Sequence, residues 1–312
     1  MKIEYSYGEP RHASLECVIA IGFFDGVHIA HRELIGAAIE EGKRLSLPVG
    51  VFTFADNDSI KKNTSRIYSD EEKEELISSL GVDFTVFADF NSVRGLTKDE
   101  FIDNVLIRDF GCRVAVVGYN FRFGKEALGN AEYLKDALAE KGRACIVKDE
   151  VTSNGQTVSS SYIKELIRLG RIEDANRLLG HPYSFPATVV RGDGRGKTLG
   201  FPTLNTDIGE RANILKTGVY RSAVRVGKKL YSALTNIGTC PTFTERALHA
   251  ESFLLDCDVE LYGERVRVFL LEYLREERKF SDAKSLILQI NVDKNRVIKK
   301  NEEEKWQELG QS

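Results

Sequence analysis

From Cys17 to about Lys148, short apolar runs alternate with segments whose apolar residues recur at helical spacing. The apolar runs predict strands at 17–24, 49–54, 84–88, 113–118 and 144–147, and the amphipathic segments predict helices at 31–45, 69–80, 98–110 and 131–141. Ser69-Asp70-Glu71-Glu72 has the form of a cap followed by an acidic first turn. Strand and helix in strict alternation are the pattern of a parallel, doubly wound sheet. Ser159-Ser160-Ser161-Tyr162-Ile163-Lys164 then opens a helix, and a short one at 172–179 ends at Gly180-His181-Pro182. Beyond this point the pattern becomes strand-like, at 187–190, 221–226, 230–235, 251–255 and 266–273, with turns at Val226-Gly227-Lys228-Lys229 and Leu261-Tyr262-Gly263-Glu264. Such spacing predicts a small antiparallel β-barrel. A helix at 281–290 and a charged tail at 299–305, expected as a solvated helix face, end the pattern.

The expected fold class is therefore α/β plus all-β: a Rossmann-like N-terminal domain over 1–182 and a small antiparallel barrel with a terminal helix over 183–312. Composition agrees, since 312 residues, 42% of them hydrophobic, suffice for two cores. A formal net charge of -3 argues against a general nucleic-acid binder. Cys17, Cys112, Cys145, Cys240 and Cys257 are odd in number and widely spaced, as expected of reduced core thiols rather than a disulfide framework. Met1-Lys2-Ile3-Glu4-Tyr5 has no signal-peptide apolar stretch and no run approaches a membrane span, so a cytoplasmic protein without membrane partners is expected.

Two constellations carry chemistry. Gly22-Phe23-Phe24-Asp25-Gly26-Val27-His28-Ile29-Ala30-His31 joins a strand to a helix through a glycine turn, and a helix N-terminus attracts anions. His28 and His31, at i and i+3, share a face of the first turn, where both can donate to a phosphate as charge grows on it. Zinc is disfavoured because neither a His-Glu-x-x-His pattern nor a cysteine cluster accompanies them; a pair of surface histidines without a role is the plainer alternative. In a doubly wound sheet this loop and Gly118-Tyr119-Asn120-Phe121-Arg122-Phe123-Gly124 both fall at strand carboxyl ends and meet at one crevice. The serines of 159–161, with Lys164 one turn later, offer a second phosphate contact.

The second constellation is Gly192-Asp193-Gly194-Arg195-Gly196-Lys197-Thr198-Leu199-Gly200-Phe201-Pro202-Thr203-Leu204-Asn205. It is not a P-loop, because the first glycine is one residue too close and Leu-Gly-Phe-Pro cannot open a helix. Its glycines still permit close approach to phosphates, and Thr203 and Asn205 supply hard oxygen donors suited to Mg²⁺; a polar flap is the plain alternative. Glu251 starts a predicted strand and could reach the barrel mouth, although spacing alone does not select it from 47 acidic residues.

Gly22-Phe23-Phe24-Asp25-Gly26-Val27-His28, Asn120-Phe121-Arg122-Phe123-Gly124, Ser159-Ser160-Ser161, Leu199-Gly200-Phe201-Pro202-Thr203-Leu204-Asn205 and Leu261-Tyr262-Gly263, in this order, resemble the prokaryotic bifunctional riboflavin kinase/FMN adenylyltransferase family. The resemblance implies that the N-terminal domain adenylylates FMN with ATP to give FAD and pyrophosphate, and that the C-terminal domain phosphorylates riboflavin. It implies catalytic roles for His28, His31 and Glu251, and nucleotide contacts at Gly22, Phe23, Asp25, Gly26, Asn120, Ser160, Ser161 and Lys164, and in the flap at Gly192, Gly194, Gly196, Lys197 and Gly200. Mg²⁺ would sit on Thr203 and Asn205, and flavin against Arg275, Phe280 and Phe123, with 274–280 closing over it.

The chain departs from the family pattern at Ala30, which stands for a glycine, at Lys164 and Lys197, which stand for arginines, and at Ala55-Asp56-Asn57-Asp58-Ser59, which replaces a Pro-His-Pro-like segment. Carboxylates near a triphosphate repel it unless Mg²⁺ bridges them. Two alternatives therefore stand beside the bifunctional enzyme: a riboflavin kinase with a degenerate or repurposed N-terminal domain, and a non-catalytic flavin-binding protein.

Overall fold

The computed structural model describes residues 1–9, 11–55, 66–191, 200–208, 213–239, 248–255 and 261–304. The chain divides into two units, Met1–Ser160 and Ser161–Ser312.

In the first unit, strands β1 (Lys2–Tyr5), β2 (Cys17–Ile21), β3 (Val49–Phe54), β4 (Phe84–Ala88), β5 (Cys112–Gly118) and β6 (Ala144–Lys148) form one sheet in the order β1-β4-β3-β2-β5-β6. Every pairing is parallel. Period-two alternation sorts the apolar side chains onto both faces, so the sheet is covered twice. Ile19, Ile21, Phe52, Val86, Ala115 and Val117 pack with Phe101, Ile102, Val105 and Leu134 on one face. Val18, Ala20, Val49, Val51, Val114 and Val116 pack with Leu34, Ile35, Ala38 and Ile77 on the other. The helices include α1 (Ile29–Leu45), α2 (Asp70–Ser79), α3 (Lys98–Glu100), which continues as π-helix over Phe101–Asp109, and α4 (Ala131–Glu140). The cap predicted at Ser69 is a full capping box with Glu72.

The expected doubly wound architecture is present, with local corrections. The strand expected to run to residue 24 stops at Ile21, because Phe24 (φ 50) and Val27 (φ 43) adopt left-handed backbone. Phe24 is apolar because its ring plugs the core beneath the turn, not because it belongs to a strand. Helix α1 begins two residues early, at Ile29, with His28 as its N-cap. Of the strands longer than two residues, two escaped prediction: the edge strand β1, and the polar strand Thr203–Asp207 of the second unit.

That unit opens with α5 (Ser160–Arg168) and α6 (Ile172–Leu179), then β7 (Tyr183–Val190), β8 (Thr203–Asp207), β9 (Gly218–Val226), β10 (Lys229–Thr239), β11 (Leu248–Leu254), β12 (Arg265–Arg275) and α7 (Ala283–Glu304). The six strands close into a barrel in the order β7-β8-β11-β10-β9-β12, each pairing antiparallel. Helix α6 is tied to the barrel by Asn176, whose amide donates to the Leu270 carbonyl at 2.9 Å and accepts from the Tyr183 N–H at 2.7 Å. The two units thus part at 160/161, whereas the sequence pattern changes near 180. The final helix and charged tail are one continuous helix as far as Glu304; Lys299, Glu302 and Glu303 face solvent, but Asn301 bonds Ser232 on the barrel. Cys17, Cys112 and Cys145 are free thiols, and Cys240 and Cys257 lie outside the described residues.

Candidate active sites

Sheet order reverses at β2, whose neighbours are β3 on one side and β5 on the other, and ligands of open α/β sheets bind at such a point. A cavity of about 410 Å³ lies there, lined by Gly22, Phe23, His28, Ala30, His31, Gly118, Asn120 and Ser160 among others. His28 is almost fully buried, and its Nδ1 accepts the His31 N–H at 3.4 Å, capping α1. The two rings stack, with centroids 3.5 Å apart and planes at 15°. Two stacked imidazolium ions would repel, and burial already disfavours the charged form. Burial pushes His28 down to about 4, partly countered by Asp25. His31 is held well below its ordinary value by burial, then by His28 and by the ammonium of Lys73. Both rings are therefore neutral at physiological pH and offer polarised N–H groups rather than fixed charge. The buried Nδ1 of His31 has no hydrogen-bond partner.

Gly26 makes the turn with φ 90, and Asp25 anchors it: Oδ1 accepts the Ile67 N–H at 2.9 Å and its carbonyl accepts the Ser160 hydroxyl at 2.7 Å. Neither Asp25 nor Gly26 lines the cavity. Phe123 is buried against Phe101, and its neighbour Phe121 is the ring that reaches the cavity wall. Ser161 and Lys164 belong to α5 in the second unit. The 56–58 segment lies outside the described residues. Sequence reasoning missed Glu150 and Thr157, which line this cavity with Tyr119 of the 118–124 loop; Tyr119 and Thr157 each donate at 2.8 Å to Glu150 Oε1.

The barrel carries a second cavity of about 410 Å³, lined by Phe201, Thr203, Val219, Leu234, Asn236, Glu251, Phe253, Arg275, Glu277, Phe280 and Asp293 among others. Register builds it. Glu251 pairs with Asn205 on one side and Asn236 on the other, so three polar side chains form one row across three strands, of which Glu251 and Asn236 line the cavity and Asn205 does not. Phe253 pairs likewise with Thr203 and Leu234, two residues along and on the same face. Thr203 and Asn205 thus present an alcohol and an amide oxygen side by side next to a carboxylate, a donor set that fits a hard divalent cation. Arg275 grips Asp293 of α7 through Nε at 2.9 Å and Nη2 at 2.8 Å. Asn236 donates to Glu277 at 3.1 Å, and a Cβ at Gly238 would lie 2.0 Å from the same carboxylate oxygen, so a side chain there would push the Glu277 carboxylate aside. Asn236 and Asp293 were not found from sequence, since strand register and the seating of α7 are invisible in it, whereas Glu277 falls in the 274–280 segment expected to close over flavin. Gly200 has φ 82, and Gly192, Gly194, Gly196 and Lys197 lie outside the described residues.

A helix N-terminus with neutral imidazoles at a sheet crevice, and a barrel row of carboxylate and hard oxygens, are chemistry suited to phosphoryl and nucleotidyl transfer. Residues 11–162 match the FAD synthetase family model and 179–300 the riboflavin kinase model. The bifunctional riboflavin kinase/FMN adenylyltransferase of Bacillus subtilis is 34% identical over 90% of this chain and 92% of its own, and that of Escherichia coli K12 is 33% identical over 89% and 90%. The chain belongs to the bifunctional riboflavin kinase/FMN adenylyltransferase family, as its motifs led one to expect. A crystal structure of a macrolide-efflux protein from Streptococcus pneumoniae superposes with a TM-score of 0.86 at 28% identity, covering 94% of this chain and 97% of that one. Among the described residues, no helix is long and apolar enough to cross a membrane.

Proposed function

We propose that the two cavities divide the family's two activities between them, in the cytoplasm: ATP-dependent phosphorylation of riboflavin in the barrel and adenylylation of FMN at the sheet crevice. In the barrel, Glu251 accepts the proton of the riboflavin 5′-hydroxyl as its oxygen attacks the γ-phosphorus of ATP, and the bond to the bridging oxygen breaks to release ADP. Thr203 and Asn205 would hold Mg²⁺, which neutralises charge on the phosphates. Phe201, Phe253 and Phe280 supply apolar wall for the flavin ring, with Arg275 at its edge.

At the crevice, an FMN phosphate oxygen attacks the α-phosphorus of ATP and pyrophosphate departs. The N–H groups of His28 and His31, with the N-terminus of α1, stabilise the charge that grows on the α-phosphoryl oxygens. Asn120 and Ser160 hold the nucleotide. What carries the reading is the His28–His31 stack at the helix start in one unit and the Asn205–Glu251–Asn236 row in the other. Purified protein is given riboflavin, ATP and Mg²⁺ in one tube and FMN, ATP and Mg²⁺ in a second, and the flavins are separated by chromatography. FAD in both is expected; FMN alone in the first and no FAD in the second would leave only the kinase.

A further inference from the structure

Lys73, on α2, is 1% exposed, and a lysine this buried has to be completely paired. An ammonium has three N–H donors, and each has an acceptor. The Phe54 carbonyl lies at 2.9 Å, Thr53 Oγ1 at 3.3 Å and Asp70 Oδ1 at 3.3 Å, while the Phe87 ring lies 5.0 Å away. Arg66 shares the same Asp70 oxygen at 3.2 Å. Two of these acceptors belong to the carboxyl end of β3, where the crevice opens. Thr53 is fully buried and passes the contact on, its hydroxyl donating to the Phe23 carbonyl at 2.9 Å. Phe23 is in the glycine loop, its ring packs on Phe54 with centroids 4.8 Å apart, and both rings line the first cavity.

We propose that Lys73 is a positioning residue for adenylyl transfer: through Thr53 and the Phe54 carbonyl it holds the Phe23 loop and the cavity wall in register with His28 and His31. The proposal rests on the crevice being the adenylyl-transfer site. An apolar residue at 73 would leave the Phe54 carbonyl without its donor and the Thr53 hydroxyl, which holds the Phe23 carbonyl, without the ammonium that orients it. The charge acts as well. Lys73 and His28 both disfavour a charged His31, Asp25 favours a charged His28, and Asp70 and Asp25 favour a charged Lys73 against burial and Arg66. With the ammonium present, His31 meets the substrate as a neutral donor.

The test compares Lys73→Met, Lys73→Arg and Thr53→Val in the full chain, assaying FAD formed from FMN across pH and FMN formed from riboflavin in the same preparations. Lys73→Met is expected to lower kcat for adenylylation by about 10- to 100-fold, since small misplacements at a reacting centre have effects of that size. It should also move the acid limb of kcat/KM to higher pH, while riboflavin phosphorylation stays at the wild-type rate. Lys73→Arg should keep the limb in place, and Thr53→Val should lower kcat without moving it. Wild-type adenylylation and an unmoved limb in Lys73→Met would overturn the proposal. Should that variant not fold, unchanged turnover in Thr53→Val overturns it and reduced turnover supports it. A wild-type protein that forms no FAD from FMN overturns the site reading itself, an outcome separate from an active wild type indifferent to residue 73.

Discussion

The two sites of this chain are assembled in opposite ways. At the crevice the principal groups are neighbours in sequence, His28 and His31 on the first turn of α1, brought to bear by a turn with left-handed Phe24 and Val27. In the barrel, Asn205, Glu251 and Asn236 come from three strands far apart in sequence and meet only through register. The crevice uses groups that burial keeps neutral, with fixed dipoles aimed at developing charge. The barrel places a carboxylate beside hard oxygens, a combination suited to taking a proton and carrying a cation. Transfer to a phosphate nucleophile needs no base, because FMN arrives ionised; transfer to an alcohol needs one. On the proposed assignment, the difference in construction follows the difference in nucleophile.

The comparison breaks most sharply at Glu251. Glu251→Ala should lower FMN formation from riboflavin by roughly 10²- to 10⁴-fold, the usual contribution of a general base, and leave FAD formation from FMN unchanged. Flavin chromatography reads both, and equal loss of both would mean that the activities are not separable. His28→Ala should do the reverse, lowering FAD formation by about 10²- to 10³-fold. His28→Asn retains a helix cap and sharpens the point: if it restores activity, the imidazole was needed only for capping.

The crevice should also show in the pH dependence of stability. Folded His28 titrates near 4, below the ordinary imidazole value near 6.5, so between these values the unfolded chain binds more protons. Stability from this group is complete above about 6.5 and is lost as pH falls toward 4. Urea midpoints should fall over that window in the wild type and fall less in His28→Asn. In the barrel, Arg275→Lys gives up the two-pronged grip on Asp293 and should raise the riboflavin KM several-fold with little change in kcat. The smallest effect is expected at Ser69→Ala, which removes the capping box of α2 at a cost of about 1 kcal/mol, visible in a denaturant melt.

Most of the first unit was legible in the sequence because both its signals are local. Short apolar runs specified β2 to β6, and Ser69 with Glu72 announced α2. Errors fell where a tertiary contact overrode local preference: Phe24 resembles the end of a strand, yet it turns back to fill the core. Strand β8 was missed because Thr203, Asn205 and Asp207 alternate with little apolar signal, and barrel closure makes it a strand. Lys73 stood in the run Asp70-Glu71-Glu72-Lys73-Glu74-Glu75 and looked like any solvated helix cation. Its burial depends on which face of α2 meets β3.

By itself, then, the sequence determined the order of elements, the two-part architecture, the helix-start histidines and the family, because periodicity, caps and contiguous motifs are properties of neighbours along the chain. Only the tertiary structure decided the row through Asn236, the hold of Asp293 on Arg275, the sinking of Lys73 beneath the glycine loop and the neutrality of the paired imidazoles. These rest on strand register and on desolvation, which arise when distant segments exclude water together and cannot be read one segment at a time.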